Sequence, residues 1–507
     1  MAFDLSHPMQ LIAALTPDIV MMVGAMVLML MSAWGPESMD RQRSVGIAGI
    51  GVCAVSAAVV LYFIAVGTTS TAGVIATDNF RWIVDLILLA ATAGTLGLML
   101  DYNVREDIMP AEAHALVLFA TSGMMILAAA RDLTIVFLGI ELMSIAVYVL
   151  TGLNRRSERS AEGAIKYFLL GAFSTGFLVY GIALTYGATG TTSLTLIGQR
   201  IGAHQIMSAP MLAVGIGLLL IGFGFKVALA PFHMWAPDVY EGAPTPITAY
   251  MAAAVKAAAF ATFLRIFTEA LGGQIVAWHV VVWWLAAVTM VVGNLIALSS
   301  RDIKRLLAYS SIAHAGYIMV LMATGQALGS SAFLFYIVAY TLATFGAFGV
   351  VVALGQTGER YLNVDDYAGL WTVRPWLAVA MGVCMLSLLG FPIFGGAGFF
   401  AKWYVLQAAL YAPEPQIRLA IVLVLTSVIS AGYYMYVVLV MFMKPRPETD
   451  RLSDPRNVGS ATKWVIGTAT VVLLVLGVYP NALVSLTQRS GSYLVPAVPQ
   501  VSEVAPR

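Results

Sequence analysis

Charge is scarce in this sequence: 27 Lys+Arg and 26 Asp+Glu amount to 10% of 507 residues, where soluble proteins carry roughly 25%. So thin a charge shell excludes a water-soluble globular protein. A formal net charge of +1 leaves no basic face for nucleic acid. Cysteine is almost absent. Cys53 and Cys384 cannot ligate an iron–sulfur cluster or build a disulfide framework, and both lie in apolar runs that make them small core residues. Neither a Gly-x-Gly-x-x-Gly after a strand nor a Gly-Lys-Ser/Thr phosphate loop occurs, so the chain has no dinucleotide or nucleoside triphosphatase motif of its own. What abounds is hydrophobicity: 60% of residues, with a mean hydropathy of +0.87, against roughly 45–50% in globular chains. The class is an all-α polytopic membrane protein.

About 20 apolar residues cross a bilayer as a helix. Such stretches number about fourteen, at roughly 14–34, 44–66, 80–100, 111–130, 132–153, 161–187, 211–234, 246–270, 277–299, 303–324, 328–354, 376–410, 416–442 and 462–486. The first is expected to stay in place, since residues 1–20 hold no Lys or Arg and form no signal-peptide n-region. Loops after odd-numbered spans hold sixteen Lys and Arg, among them Arg155, Arg156, Arg159, Arg360, Arg451 and Arg456, against seven on the other side. The positive-inside rule then puts both termini on the non-cytoplasmic side of a cell (inner) membrane.

The remaining four positive charges fall inside spans: Lys166, Lys226, Lys256 and Lys402. Each costs about 2.5–3.5 kcal/mol at a helix centre on insertion scales, and Glu141 adds to the sum. At about 1.5 Å rise per residue, Lys256 and Glu141 lie roughly 14–15 Å deep, near the midplane of a core about 30 Å thick. Structural ion pairs that lock helix against helix are the competing reading, and several such charges on different helices weaken it. Lys166 stands near its helix start with Glu162 four residues before it, so it reads equally as an i,i+4 pair near the headgroups. The same reasoning sets aside Asp85, four after Arg81 near a helix end. His314, with Tyr309, Ser310 and Ser311 nearby, is either a relay group or a neutral histidine bonded to a neighbouring helix.

Desolvation disfavours the charged form of a lysine and a nearby carboxylate restores it, so a buried lysine changes protonation when its neighbour moves. Lysine is also a poor ligand for Na⁺, which prefers oxygen donors. The set argues for protons over metal cations.

Two spans carry interruptions. Pro231 ends an apolar run beside Lys226, with Pro237, Pro244 and Pro246 following, and the helix should break there because proline removes a donor and blocks the i−4 carbonyl. Gly390-Phe391-Pro392, followed by Gly395, Gly396 and Gly398, interrupts the run before Lys402. Broken helices at membrane depth are tolerated where they are buried in protein or line a cavity. Spans 4–8 and 9–13 form two sets of five, and an odd number forces the second to run inverted. The break falls on the fourth helix of each set. Lys226 and Lys402 are 176 residues apart and Glu141 and His314 are 173 apart, although Lys226 precedes its proline and Lys402 follows its own.

These residues resemble the antiporter-like membrane subunits of NADH:quinone oxidoreductase (respiratory complex I), a family shared with Mrp-type cation/proton antiporters. The resemblance rests on F-K-x4-P-F-H-x-W-x-P-D-x-Y-x-G-A-P-T-P-x-T-A from Phe225 to Ala249 with Lys256 following, on Glu141, on Y-S-S-I-A-H-A-G-Y at 309–317, and on G-F-P before Lys402. It covers nearly the whole chain. Lys402, where one branch is expected to carry glutamate, and a tail of about 20 residues, too short for another branch's lateral helix, bring the chain nearest to the N-type branch.

The resemblance implies two inverted half-channels in which Glu141, Lys226, Lys256 and Lys402 relay protons, with His314, Lys166 and His233 as secondary candidates. It implies units at 1–105 (three N-terminal helices), 106–272 and 273–445 (the two half-channels) and 446–507 (loop, last helix and tail). NADH, FMN, iron–sulfur clusters and quinone would belong to partner subunits, and this chain would hold no cofactor or metal. Its partners would be other membrane-arm subunits, the peripheral redox subunits and the lipid bilayer. The alternative within the family is a Na⁺/H⁺ antiporter subunit.

Overall fold

A computed structural model describes all residues except 1, 4, 6, 35–36, 71–72, 325–326, 360–361, 393–395, 447–457 and 492–507. Gly395 and the arginines Arg360, Arg451, Arg456 and Arg507, which enter the reading above, lie outside the described residues. The rest is helical but for loops and a two-residue parallel pairing of Ala2–Phe3 with Thr69–Ser70.

In chain order the membrane helices are α1 (Thr16–Ala33), α2 (Met39–Val66), α3 (Asn79–Arg105), α4 (Glu112–Ala129), α5 (Leu133–Thr151), α6 (Glu158–Thr189) and α7a (Ala209–Lys226) with α7b (Ala236–Gly242). Then follow α8 (Thr245–Ala270), α9 (Ile275–Ser299), α10 (Ile303–Thr324), α11 (Ala327–Leu354), α12a (Pro375–Leu389) with α12b (Ala397–Leu410), α13 (Ile417–Met443) and α14 (Ser460–Val478). Among the described residues thirteen helices are long and apolar enough to cross a membrane, and the shorter α12a completes the fourteenth crossing together with α12b.

The chain's own side chains set many of these boundaries. Asp78, Asp132 and Ser208 accept from backbone N–H groups in the first turns of α3, α5 and α7a, each cap contributing about 1 kcal/mol. The expected single span at 462–486 is two helices, because Pro480 cannot continue α14 and the chain restarts as Asn481–Gly491. A short helix at Leu194–Gly202, between α6 and α7a, had no counterpart among the expected spans.

The two five-helix sets repeat one plan. In the first, α4 packs on α5, α6 on α7a, and α8 returns to α4; in the second, α9 packs on α10, α11 on α12, and α13 returns to α9. Burial grades outward from the seam between them. The most apolar stretch of α8 is 100% buried and that of α10 94%, against 28% in α1, α2 and α6, so the lysine-bearing α8 is shielded from lipid and the outer helices form the lipid-facing wall.

Candidate functional site

Both interruptions form. α7a ends at Lys226 and a loop of nine residues leads to α7b; its backbone polar groups find partners, with Trp235 Nε1 donating to the Phe225 carbonyl at 3.0 Å and Ala230 N–H to Thr289 Oγ1 on α9 at 3.0 Å. α12a ends at Leu389 with Gly390 in the left-handed region at φ 77°. Lys402 follows its break in sequence but folds back across it, donating to the Leu389 carbonyl at 2.9 Å and to Ser427 Oγ at 3.3 Å. Lys402 therefore serves the open end of its first half-helix, where cations are favoured, whereas Lys226, the last residue of α7a, turns its Nζ to α5.

Each also sits over a tyrosine of the second helix of its set. Lys226 Nζ lies 5.6 Å from the ring centroid of Tyr148 on α5, and Lys402 Nζ lies 4.6 Å from that of Tyr317 on α10, a contact worth about 2 kcal/mol when desolvated. Glu141, Ser144 and Tyr148 occupy positions i, i+3 and i+7 on one face of α5. Lys226 donates to Ser144 Oγ at 2.7 Å and to Tyr148 Oη at 3.3 Å, while Glu141, half-buried one turn away, accepts from Thr175 Oγ1 at 2.9 Å.

Lys256 is 2% exposed, immediately after a π-helical turn at Met251–Val255. Its Nζ donates across the seam to the Ser311 carbonyl at 2.7 Å and to Ser311 Oγ at 2.5 Å, and Tyr340 donates to the same Oγ at 2.8 Å. One turn along α10, His314 Nδ1 shares a hydrogen bond with Tyr336 Oη at 2.6 Å and Nε2 one with Tyr434 Oη at 3.1 Å; Ser310 Oγ also bonds Tyr434. A neutral imidazole presents one donor and one acceptor, so a proton accepted at one nitrogen is released from the other. Between His314 and Lys402 lies a cavity of about 10 Å³, bordered also by Tyr336, Tyr340 and Ser387, which has room for a single water.

Lys256 and Lys402 have no carboxylate partner at ion-pair distance among the described residues. Their hydrogen-bond partners are hydroxyls and backbone carbonyls. Lys166 does pair, with Glu162 at 2.6 Å and Asp238 at 2.7 Å, and is 41% exposed. Asp238 continues to Arg305, which holds Glu241, so Lys166 belongs to a charged network at the helix ends. His233 is half-buried in the turn beyond α7a, and no hydrogen bond joins it to the other candidates among the described residues. An aromatic cluster begins at Lys226: Tyr148 meets Tyr167 at 4.7 Å, and Trp235 stacks on Tyr167 at 4.5 Å and approaches Phe225 and Tyr240.

Of two larger openings, one borders the row and the other lies at the helix ends. At the end where α8 begins, a cleft of about 310 Å³ is bordered by Tyr102, Glu106, Arg159, Glu241 and Glu359. Glu359 accepts there from Lys304 (2.8 Å), Tyr102 (2.7 Å) and Thr245 Oγ1 (2.6 Å). Burial pushes its carboxyl upward, but Lys304's charge and these hydrogen bonds prevail and hold it below the ordinary glutamate value. Beside Lys402, an apolar groove of about 350 Å³ is edged by Phe391, Phe399 and Trp403.

In the sequence Lys304 is only one of the sixteen loop charges, Ser311 only a neighbour of His314, and nothing singles out Ser144, Tyr148, Tyr336, Tyr340 or Tyr434. Serine and tyrosine at helical spacing look the same whether they line a path or fill a core; the three-residue step from Ser311 to His314 was the one available signal.

A lipid-shielded row of unpaired lysines, set on two inverted five-helix units with broken helices, defines a membrane protein of the ion-translocating antiporter type. The chain belongs to the NADH:quinone oxidoreductase/Mrp antiporter transmembrane family, which it matches over residues 130–430. It is 51% identical to the NADH-quinone oxidoreductase subunit N of Gemmatimonas aurantiaca, over 95% of this chain and 93% of that one. It is 44% identical to the protein of the same name in Trichlorobacter lovleyi, over 94% and 96%. Among solved structures, a chain of respiratory complex I from Thermus thermophilus with bound aureothin is similar at 36% identity and a TM-score of 0.78, covering 93% of this chain and 99% of that one. The Mrp complex from Dietzia shares the fold at 20% identity and a TM-score of 0.82, covering 96% and 98%.

Proposed function

We propose that this chain translocates protons as the N-type membrane-arm subunit of an NADH:quinone oxidoreductase, with Glu141, Lys226, Lys256, His314 and Lys402 as its relay. Among its relatives, those named subunit N at 51% and 44% identity favour this reading over the Na⁺/H⁺ antiporter alternative. The observation that carries the relay is the absence of carboxylate partners at Lys256 and Lys402 among the described residues. A lysine kept merely to lock helices together would be paired, since an unpaired buried charge is strongly destabilising.

A proton taken up beside Lys226 passes to Lys256, then through Ser311 and His314, and across the small cavity to Lys402. Charge changes at Glu141 and in neighbouring subunits drive the transfer, and release follows through the groove beside Lys402. Both termini face the non-cytoplasmic side. The functional units are residues 1–105, 106–272, 273–445 and 446–507, of which the second and third are the half-channels. The protein is a multi-pass subunit that works beside other membrane-arm chains and the peripheral subunits. NADH oxidation, FMN, iron–sulfur clusters and quinone reduction lie in those partners. Lys166 keeps the charged network at the helix ends in place, and His233 is a minor contributor at the break.

The test is NADH-driven proton pumping by the assembled complex. Lys256→Ala or Glu141→Ala should lower it about 100-fold or more in the affected path, the scale of a lost acid–base group. Lys256→Arg keeps the charge but cannot give up its proton, and it should fail as well. Full pumping by the arginine variant, or unchanged proton-to-electron stoichiometry in both alanine variants, would overturn the relay.

A further inference from the structure

The pairing of Arg81 with Asp85, which the sequence places near a helix end, is enclosed in protein. α1 lies over it and brings in Asp18. Arg81 Nε donates to Asp85 Oδ2 at 3.2 Å, Nη2 donates to Asp18 Oδ2, and Nη1 donates to the Ala76 carbonyl at 2.9 Å, with the Ala14 carbonyl at 3.5 Å. The side chains of Arg81 and Asp85 are 0% exposed and that of Asp18 4%. Trp82 covers the guanidinium, its ring centroid 4.3 Å from Arg81 Cζ.

Two carboxylates thus face one guanidinium, and among the described residues no second cation pairs with either of them. The nearest charged neighbour is Asp78, whose carboxylate is taken bidentately by Arg265 of α8 at 2.8 and 3.0 Å. Arg265 also holds Glu269, which pairs with Arg131. That second group balances, with two carboxylates against two guanidiniums. The triad does not balance. Asp18 Oδ1 and Asp85 Oδ1 are both buried with no hydrogen-bond partner among the described residues, although a buried carboxylate oxygen without a donor is costly.

We propose that Asp18 and Asp85 hold one proton between them, making the triad a neutral proton-binding site in the three N-terminal helices, apart from the lysine row. The proton sits on one Oδ1, turning an unpartnered acceptor into a donor and removing the surplus negative charge. A sodium ion would need more oxygen ligands than the two that are free. This inference does not depend on the relay.

The experiment is infrared difference spectroscopy on the assembled complex, wild type against Asp85→Asn and Asp18→Asn, at neutral pH with and without sodium. The wild type should show the carbonyl stretch of a protonated carboxyl, shifted in D₂O and absent from both single variants, in each of which the remaining carboxylate is balanced by Arg81. Each single amide, standing in for a neutral acid, should assemble to the wild-type level. Asp18→Asn/Asp85→Asn leaves Arg81 without a counter-charge and should lower assembled complex about tenfold or more. The proposal is overturned if no such band distinguishes wild type from both single variants, if neither single variant assembles, or if the band appears only when sodium is removed, which would assign the missing charge to a sodium ion.

Discussion

Ser311→Ala is the sharpest perturbation of the proposed path, because a single hydroxyl joins Lys256 to the polar groups of α10 and α11. Its Oγ accepts from Lys256 Nζ at 2.5 Å and from Tyr340 Oη at 2.8 Å. The variant leaves the backbone carbonyl, which still accepts from Lys256 at 2.7 Å, so the lysine keeps one partner and the fold keeps its helix contact. Tyr340 loses its acceptor, and on the lysine side what is lost is one hydrogen bond to a charged group, worth about 1.5–3 kcal/mol. Placed on the transfer step at a factor of ten per 1.36 kcal/mol, that is about a 10- to 150-fold slower proton passage. The assay is NADH oxidation together with initial proton movement in vesicles carrying the complex. Ser311→Thr retains the hydroxyl and should restore most of the rate. If Ser311→Ala pumps with wild-type rate and proton-to-electron stoichiometry, the Lys256–Ser311 contact is only a helix fastener and the reasoning fails.

Gly390→Ala should slow pumping while leaving the complex assembled: the backbone has φ 77°, which costs a side chain roughly 1–2 kcal/mol, and the new Cβ would come 2.8 Å from Lys402 Cδ. Proton pumping measured against assembled complex on a native gel checks it. Glu359→Gln should lower the thermal midpoint of the detergent-solubilised complex at neutral pH, since it strands Lys304, whose side chain is 0% exposed, at a cost of about 3–5 kcal/mol. The pH dependence has a definite sign. The folded carboxyl of Glu359 is held below its unfolded value, so its stabilisation is full above the ordinary glutamate pKa of about 4.3 and is lost as pH falls through the folded value. Melting curves for wild type and variant should therefore draw together only as pH falls below about 4.3 and through the folded value, and a gap that persists beyond it counts against the pair.

The spans were legible because a helix must hold about 20 apolar residues to cross, and the inversion because five is odd. The breaks were legible because Pro231 and Gly390-Phe391-Pro392 forbid helix. The π turn at Met251–Val255 was not: Met-Ala-Ala-Ala-Val holds no residue that departs from α-helix, and the turn is set by what surrounds it. The Asp18–Arg81–Asp85 triad was misjudged for a related reason. Sequence distance to a helix end measures depth along one helix and says nothing of the neighbour that covers it; α1 supplied both the cover and the third charge.

Among the contacts between the halves, the one from Lys256 to Ser311 lies on the proposed path. Lys256 belongs to α8, the last helix of the first set, and Ser311 to α10, the second helix of the next. His314 and the cavity beside Lys402 follow from α10 onward. On the other side of Lys256, the rings of Tyr240, Trp235, Tyr167 and Tyr148 pack one against the next toward Lys226. On the proposed path the second half thus has hydrogen-bonding groups already in place, whereas the step from Lys226 to Lys256 has to cross a stretch of packed aromatic rings. That asymmetry puts the controlled step before Lys256, where a charge change at the half-buried Glu141, one turn from the Lys226 contacts, acts most directly.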